Sequence, residues 1–189
     1  MSRDRDREQR RRPAPEDAQG PSAASPAIRH AVRSDWDRIA ELTVQAYVDG
    51  GFLEAGDEYI GHLADVPHRA AESQLLVAEV DGAVAASVAV TEAGSPMAEV
   101  ARAGEIEFRM LAVAPEFQGR GIARSIVRHI LSAAEQQEDV RAVTLCSLTT
   151  MTTAHALYRS EGFVEDPARD LYLEHIQKSF PFFIRHLRS

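Results

Sequence analysis

From Ile28 onward the chain alternates between two hydrophobic periods, and the switches between them predict its elements. Ile28, His30 and Val32 alternate with Arg29, Ala31 and Arg33, the period-2 signature of a short strand. Trp36, Ile39, Ala40, Thr43 and Tyr47 follow at helical spacing, after an N-cap signal at Ser34-Asp35 and before a stop at Gly50-Gly51. A second, weaker helix is predicted between Asp57 and Ala71, with Pro67 disturbing it. Two apolar, valine-containing runs, Gln74 to Val80 and Ala83 to Thr91, flank Asp81-Gly82, a hairpin turn signal. Gly94-Ser95-Pro96 breaks the chain, and Glu105 to Val113 is the next strand. Ile122, Ile126 and Ile130, beside Ala123, Val127 and Leu131, form two adjacent rows of an amphipathic helix ending near Gln136. Val140 to Leu148 reads as a buried strand. Thr152 or Thr153 would cap a short helix over Ala154 to Glu161, with Gly162 at its C′ position. Two more strands are predicted near Asp170 to Ile176 and Phe182 to His186.

This order predicts one α/β (α+β) domain on a mixed sheet. Residues 1–26 lack any apolar period. Arginines interleaved with acids give way to a Pro/Ala/Ser/Gly stretch, which predicts a disordered N-terminal tail ahead of a domain over 27–189. The polar, charged start does not read as a secretory signal, and no apolar run approaches the roughly 20 residues that span a bilayer. A net charge of −8 argues against nucleic-acid binding by the folded part. One cysteine, Cys146, leaves no intramolecular disulfide and no cysteine-cluster metal site, and the histidines are scattered without metal-ligand spacing. The expectation is a cytoplasmic protein with neither membrane nor nucleic acid as partner, and with no metal.

The most informative segment runs from Glu107 to Ala123. It reads as a strand, a Pro115-marked turn, a glycine loop and the start of a helix. Glycines let a backbone approach an anion closely, and free N–H groups at a helix start point at it, so a pyrophosphate is the expected ligand. The loop has no Gly-Lys-Ser/Thr ending, so it is not a P-loop. Nor does it fit the dinucleotide fingerprint, because Arg124 falls at the third small position. The plain alternative is a strand-to-helix turn with two glycines.

Gln118-Gly119-Arg120-Gly121-Ile122-Ala123 resembles the Gln/Arg-x-x-Gly-x-Gly/Ala loop of the GCN5-related N-acetyltransferase (GNAT) family. Downstream, Ala154-His155-Ala156-Leu157-Tyr158-Arg159-Ser160-Glu161-Gly162-Phe163 is similar to that family's Ala-x-x-Leu-Tyr-x-x-x-Gly-Phe segment. The resemblance runs from about residue 27 to the C-terminus. It implies a mostly antiparallel sheet of six to seven strands, flanked by about four helices, with splayed central strands. It implies acetyl-CoA as co-substrate, its pyrophosphate cradled by Gln118, Gly119, Arg120, Gly121, Ile122, Ala123 and Arg124. Pantetheine would lie along Leu111, Ala112 and Val113, with the Leu111 N–H polarising the thioester carbonyl.

By the same resemblance, Tyr158 is the candidate general acid, protonating the leaving thiolate. A thiol leaves with modest help, so this tyrosine should speed turnover without being indispensable. Its structural alternative is a half-buried helix aromatic. Glu107 is the candidate general base: an ammonium cannot attack until it loses a proton, and a carboxylate can accept that proton. Glu105 shares its strand face and could raise its pKa; solvent-facing strand acids are the structural alternative. Met151 stands where many members carry a pantetheine-binding asparagine. Cys146 reads as inert packing, and Arg109 as a cleft residue or a salt-bridge partner.

These readings imply acetyl transfer to a small-molecule or peptide amine by direct attack in a ternary complex, without a covalent intermediate. Tyr47, Phe52, Tyr59 and Tyr172 are candidate linings of the acceptor pocket. A non-catalytic acyl-CoA-binding module and a protein N-terminal acetyltransferase are the alternatives. A homodimer is compatible with the family, and Phe180-Pro181-Phe182-Phe183 would be its edge-strand interface or simply core.

Overall fold

The structure is a computed structural model, and it describes residues 25–54, 56–174 and 178–187. The expected tail lies almost wholly outside the described residues. In chain order the elements are β1 (Ala27–His30), α1 (Trp36–Asp49), α2 (Tyr59–Ala64), α3 (Val66–Glu72), β2 (Gln74–Val80), β3 (Ala83–Glu92) and β4 (Glu105–Val113). There follow α4 (Ile122–Glu135), β5 (Ala142–Cys146), α5 (Thr152–Ser160), β6 (Val164–Glu165), β7 (Leu171–Leu173), β8 (Lys178–Phe180) and β9 (Phe182–His186).

Seven strands form one sheet in the order β1-β2-β3-β4-β5-β9-β6. Every pairing is antiparallel except β4 with β5. A separate ribbon joins β7 and β8. The hairpin between β2 and β3 turns on Asp81 and Gly82, both at positive φ as a two-residue primed turn requires. Because strand side chains alternate, β2 divides its apolar residues between two layers. Leu76, Ala78 and Val80 pack in the cluster containing α4, while Leu75 and Val77 pack with Ile39 of α1 and Val66 of α3. The α4 rows are buried as their spacing predicts, with Ile126 and Val127 fully so.

Several local expectations need correction. Asp35 does not cap α1; its carboxylate turns back to accept from the Val32 N–H and from Arg29. Pro67 does more than disturb one helix. Asp65 ends α2 and caps α3, accepting from His68 N–H at 3.1 Å, so Pro67 falls in the first turn of a separate helix, where its missing N–H costs nothing. No threonine side chain caps α5, whose N-cap is Met151. Phe182 and Phe183 are fully buried, and their strand lies between β5 and β6, so that segment is core and not an edge.

Two irregularities of β4 position everything that follows. The first is a bulge. Ser87 pairs with Ala112 but Ala89 pairs with Arg109, so Val88 faces both Met110 and Leu111. Met110 takes φ +52°, a left-handed conformation that side-chain-bearing residues adopt at a cost of about 1–2 kcal/mol. The extra residue reverses the alternation of the strand. Ile106 and Phe108 face α4 before the bulge; after it Leu111 and Val113 do, while Ala112 and Ala114 turn to Leu42 of α1. The second irregularity is a split. β4 pairs with β5 only over Glu105–Glu107 against Ala142–Thr144, and beyond that point the two strands part.

If the bulge sets the backbone at Met110, then glycine there outperforms alanine. Met110→Gly is expected to be more stable than Met110→Ala by about 0.5–1 kcal/mol, the reverse of the usual order in a strand, in urea unfolding. Equal stabilities, or Ala the better, would remove the left-handed conformation from the account.

Candidate active site

The split opens a cavity of about 100 Å³, walled by Phe108, Met110 and Leu111 of β4 and by Leu145 and Cys146 of β5. Tyr158 of α5 lines it, as do Glu107, Glu99 and Arg109. The structure therefore brings together both predicted catalytic residues and Leu111. Each element contributes for a local reason. Gly162, at φ +85°, ends α5 by letting the Phe163 N–H donate to Tyr158 O at 3.0 Å. The Tyr158 ring is clamped edge-on by Phe108 and Phe183, at 5.8 and 5.6 Å between centroids. Burial raises the Tyr158 hydroxyl well above the ordinary phenol range, so it keeps its proton at neutral pH.

Glu107 is 1% exposed. Its Oε2 accepts three backbone N–H bonds, from Glu99, Val100 and Ala101, at 2.9–3.0 Å. Those bonds fold the segment before β4 over the strand. Oε1 has no hydrogen-bond partner and lies 3.7 Å from Arg109 Nε. Glu105 has a different fate. Although burial would raise its pKa, hydrogen bonds from Arg169 hold it below the usual carboxylate range; both its oxygens receive Arg169 at 2.8 Å. The Arg169 guanidinium thus pairs with Glu105 at the start of β4.

Glu99 carries no pattern in the sequence that would single it out. It reaches the cavity through the fold of the loop that Glu107 organises. Its Oε1 lies 2.5 Å from Arg109 Nη2, and burial raises its pKa against that pairing. Arg109 also donates from Nη1 to Met97 O at 2.6 Å. Two carboxylates against one guanidinium leave this wall of the cavity negative, which favours a cation such as an ammonium.

Of the predicted pocket aromatics, Tyr47 and Tyr59 line the cavity; Phe52 packs edge-on against Tyr47, and Tyr172 is exposed. Met151 lines the cavity too. Thr149 donates to Ser179 O at 3.0 Å, so its hydroxyl is engaged elsewhere.

The glycine loop follows the end of β4 and does not line this cavity. Gln118 ties it back, its side-chain amide donating to Val113 O at 3.2 Å. Gly119 and Gly121 take φ +73° and +78°, and a Cβ at either would project into open space. Among the described residues no acceptor takes the N–H groups of Gly119 to Arg124, and no side chain caps α4. Exposed glycines, unpaired donors and the N-terminus of a 14-residue helix make a cradle that fits a pyrophosphate. The side chains diverge: Ile122 is buried in the core, Ala123 is half-buried, and Arg124 turns to Glu161 at 2.9 Å. Arg120 lies over the Phe117 ring. Ala112 is buried toward α1, so only its backbone is placed to serve the cleft.

The family model for the acetyltransferase (GNAT) domain matches residues 71–165, half of the chain. The chain belongs to the GNAT family, which uses acetyl-CoA. No curated protein matches it. Among solved structures it resembles a GNAT acetyltransferase from Streptococcus agalactiae 2603, with TM-score 0.68 and 16% identity over 87% of this chain and 96% of that one. It also resembles yncA from Salmonella typhimurium, solved with its cofactor acetyl-CoA, with TM-score 0.64 and 18% identity over 87% and 95%. A third is the ribosomal-protein-S18-alanine N-acetyltransferase from Escherichia coli, with TM-score 0.63 and 17% identity over 87% and 95%. At these identities the likeness establishes the fold. Among the described residues no cluster of three His, Cys, Asp or Glu could hold a metal, and no helix is long and apolar enough to cross a membrane.

Cys146 stands on the cavity wall, so its chemistry matters. Burial, with Glu107 and Glu99 adding to it, pushes its thiol up to about 12. At pH 8 about one thiol in 10⁴ is then ionised, against about a quarter of a free cysteine. Alkylation by iodoacetamide at pH 8 should therefore run ~10³-fold slower than for a model thiol, rising about tenfold per pH unit while the fold persists. As the sole cysteine it can be followed by whole-protein mass. Rapid labelling at pH 8 would refute this environment.

Proposed function

We propose that the protein transfers an acetyl group from acetyl-CoA to a primary amine by direct attack in a ternary complex. The observation that carries this reading is the convergence of Tyr158, Glu107 and the Leu111 backbone on one cleft, beside a glycine cradle. The backbone N–H groups of Gly119 to Arg124 would bind the pyrophosphate. The β4 backbone at Leu111 to Val113, left unpaired by β5, would accept an extended pantetheine arm. Acetyl-CoA supplies the activated acyl group.

The chain's own residues then divide the proton work. Glu107 presents Oε1, with its other oxygen anchored by three N–H bonds, and accepts a proton from the incoming ammonium directly or through a water. Tyr158 holds its proton at neutral pH and delivers it toward the departing sulfur. The Leu111 N–H, re-aimed by the bulge at Met110, stabilises charge developing on the carbonyl oxygen. A thiol at about 12 is a poor nucleophile, which supports direct transfer over an acyl-cysteine intermediate.

Tyr158→Phe is expected to lower kcat about 10- to 100-fold, while the acetyl-CoA Kd stays within about twofold. The assay is thiol release over a panel of amines, with binding by calorimetry. Loss of cofactor binding, or of folding, would sink the general-acid role. Tight acetyl-CoA binding by wild type without turnover of any amine would instead favour a cofactor-sensing module.

Gly121→Ala tests the cradle separately. A methyl group at φ +78° projects toward the pyrophosphate position, so the acetyl-CoA Kd should rise tenfold or more, with a stability loss of about 1–2 kcal/mol. An unchanged Kd would place the anion elsewhere.

A further inference from the structure

Arg120, Arg124 and Arg128 follow one another at four-residue intervals through the glycine loop and the first two turns of α4. Helix residues four apart share a face, so Arg124 and Arg128 stack as like charges, an unfavourable pair by itself. Their position adds to the cost. A helix N-terminus is the positive end of the peptide dipoles and favours acids, yet the first turn of α4 has none. Cations are thus gathered where folding alone favours anions, in a chain whose net charge is −8.

Glu161, at the C-cap of α5, holds the pair in place. It is 7% exposed. Its Oε1 accepts from Arg124 Nη1 at 2.9 Å. Arg128 spans both oxygens, Nε to Oε2 at 2.9 Å and Nη2 to Oε1 at 3.2 Å. Arg185 of β9 donates to the Glu161 carbonyl at 2.6 Å and fixes this residue from the other side. One carboxylate balances one guanidinium, so a structural role at the end of α5 does not account for two. Of the five N–H donors on each guanidinium, Glu161 takes one from Arg124 and two from Arg128. Both side chains stay accessible, at 44% and 63% exposed, so a ligand can reach them.

The Arg124 backbone belongs to the glycine cradle, but its side chain leaves the loop for Glu161. Arg128 lies one helical turn, about 5.4 Å, further along α4. The pair therefore stands beside the pyrophosphate position. Coenzyme A carries its 3′-phosphate on the same ribose as its pyrophosphate, which makes it the next anion along the cofactor. A phosphomonoester offers three oxygens that match the planar fork of a guanidinium. We propose that Arg124 and Arg128, held by Glu161, form a second anion site that takes the 3′-phosphate, so that the protein discriminates CoA from its 3′-dephospho form. This goes beyond the transfer reading and rests on the acetyl-CoA cradle proposed above. Neither arginine touches the reacting atoms.

CoA and 3′-dephospho-CoA titrated into the full chain by calorimetry give a readout that needs no acceptor amine. Wild type is expected to bind CoA about tenfold or more tightly than the dephospho form, with the ratio shrinking as salt is raised. In Arg128→Met the ratio should fall to about threefold or less through a weaker CoA Kd, while the Kd of the dephospho form stays within about twofold. Arg124→Met should act in the same direction. Arg128→Lys, which keeps the charge without the fork, should retain part of the preference. Gly121→Ala is the contrast: it should weaken both forms alike, because both carry the pyrophosphate. Equal losses for the two forms in the arginine variants would mean that the arginines act through α4–α5 packing, and would overturn the proposal. Equal binding of the two forms by wild type overturns it alone, whether or not the variants fold. Failure of wild type to bind either form overturns it together with the cradle.

Discussion

The bulge at Met110 is the constraint on which the rest of the site depends. A strand with unbroken alternation would keep Phe108, Met110 and Ala112 on one face. The extra residue sends Phe108 toward α4 and Ala112 toward α1, with Met110 joining Leu53 and Leu63. Glu107 and Arg109 remain on the opposite face from Phe108, and Leu111 is re-aimed. A left-handed residue in the middle of a sheet is unfavourable by itself, and it persists because packing over-determines it. Met110 is held among Leu63, Met97 and Leu53, and β3 stays paired on both sides of the irregularity.

The split between β4 and β5 follows from the same strand. Parallel pairing lasts three residues, through Glu107 and Thr144, and then neither strand offers its neighbour a ladder. Unpaired backbone groups facing a cleft are a standing cost to the fold unless something hydrogen-bonds them, which is why such a gap marks a binding surface. Glu107 sits at the fork. Its carboxylate serves as an anchor for residues 99–101 and as a wall of the cavity at once. Structure and chemistry are therefore hard to separate at this residue: any substitution that removes the acid also releases three backbone donors.

Most of the scaffold was legible because its signals are local. The Asp81-Gly82 turn, the two isoleucine- and valine-lined rows of α4, and Gly162 after α5 each state a backbone requirement within a few residues. The glycine loop was legible for the same reason. What escaped depends on long-range contacts. Nothing in Arg-Met-Leu announces a bulge, because Met110 is not a residue type that favours positive φ. Pro67 was read as a flaw in one helix, when Asp65 beside it makes it the first turn of another. Val164–Glu165 and Lys178–Phe180 are too short to show a period. Glu105 and Glu107 share a strand face at two-residue spacing, with nothing local to separate their surroundings. Arg169, 64 residues away, pairs with Glu105, and the folded-back loop gives Glu107 its own partners.

The division of labour along the chain explains why the reaction is easier to read than its acceptor. The proposed cradle, the proposed thioester wall and Tyr158 come from β4, α4 and α5, elements with strong periodicity. The proposed acceptor side comes from α2, α3, the segment before β4 and the β7–β8 ribbon. These are helices of six and seven residues, three-residue strands and irregular backbone. Such segments have little propensity of their own and are fixed by what they pack against, so their sequence carries little pattern. Burial then becomes the better guide than periodicity. A charged residue in a short helix is usually solvated, and Arg69 of α3 is instead buried.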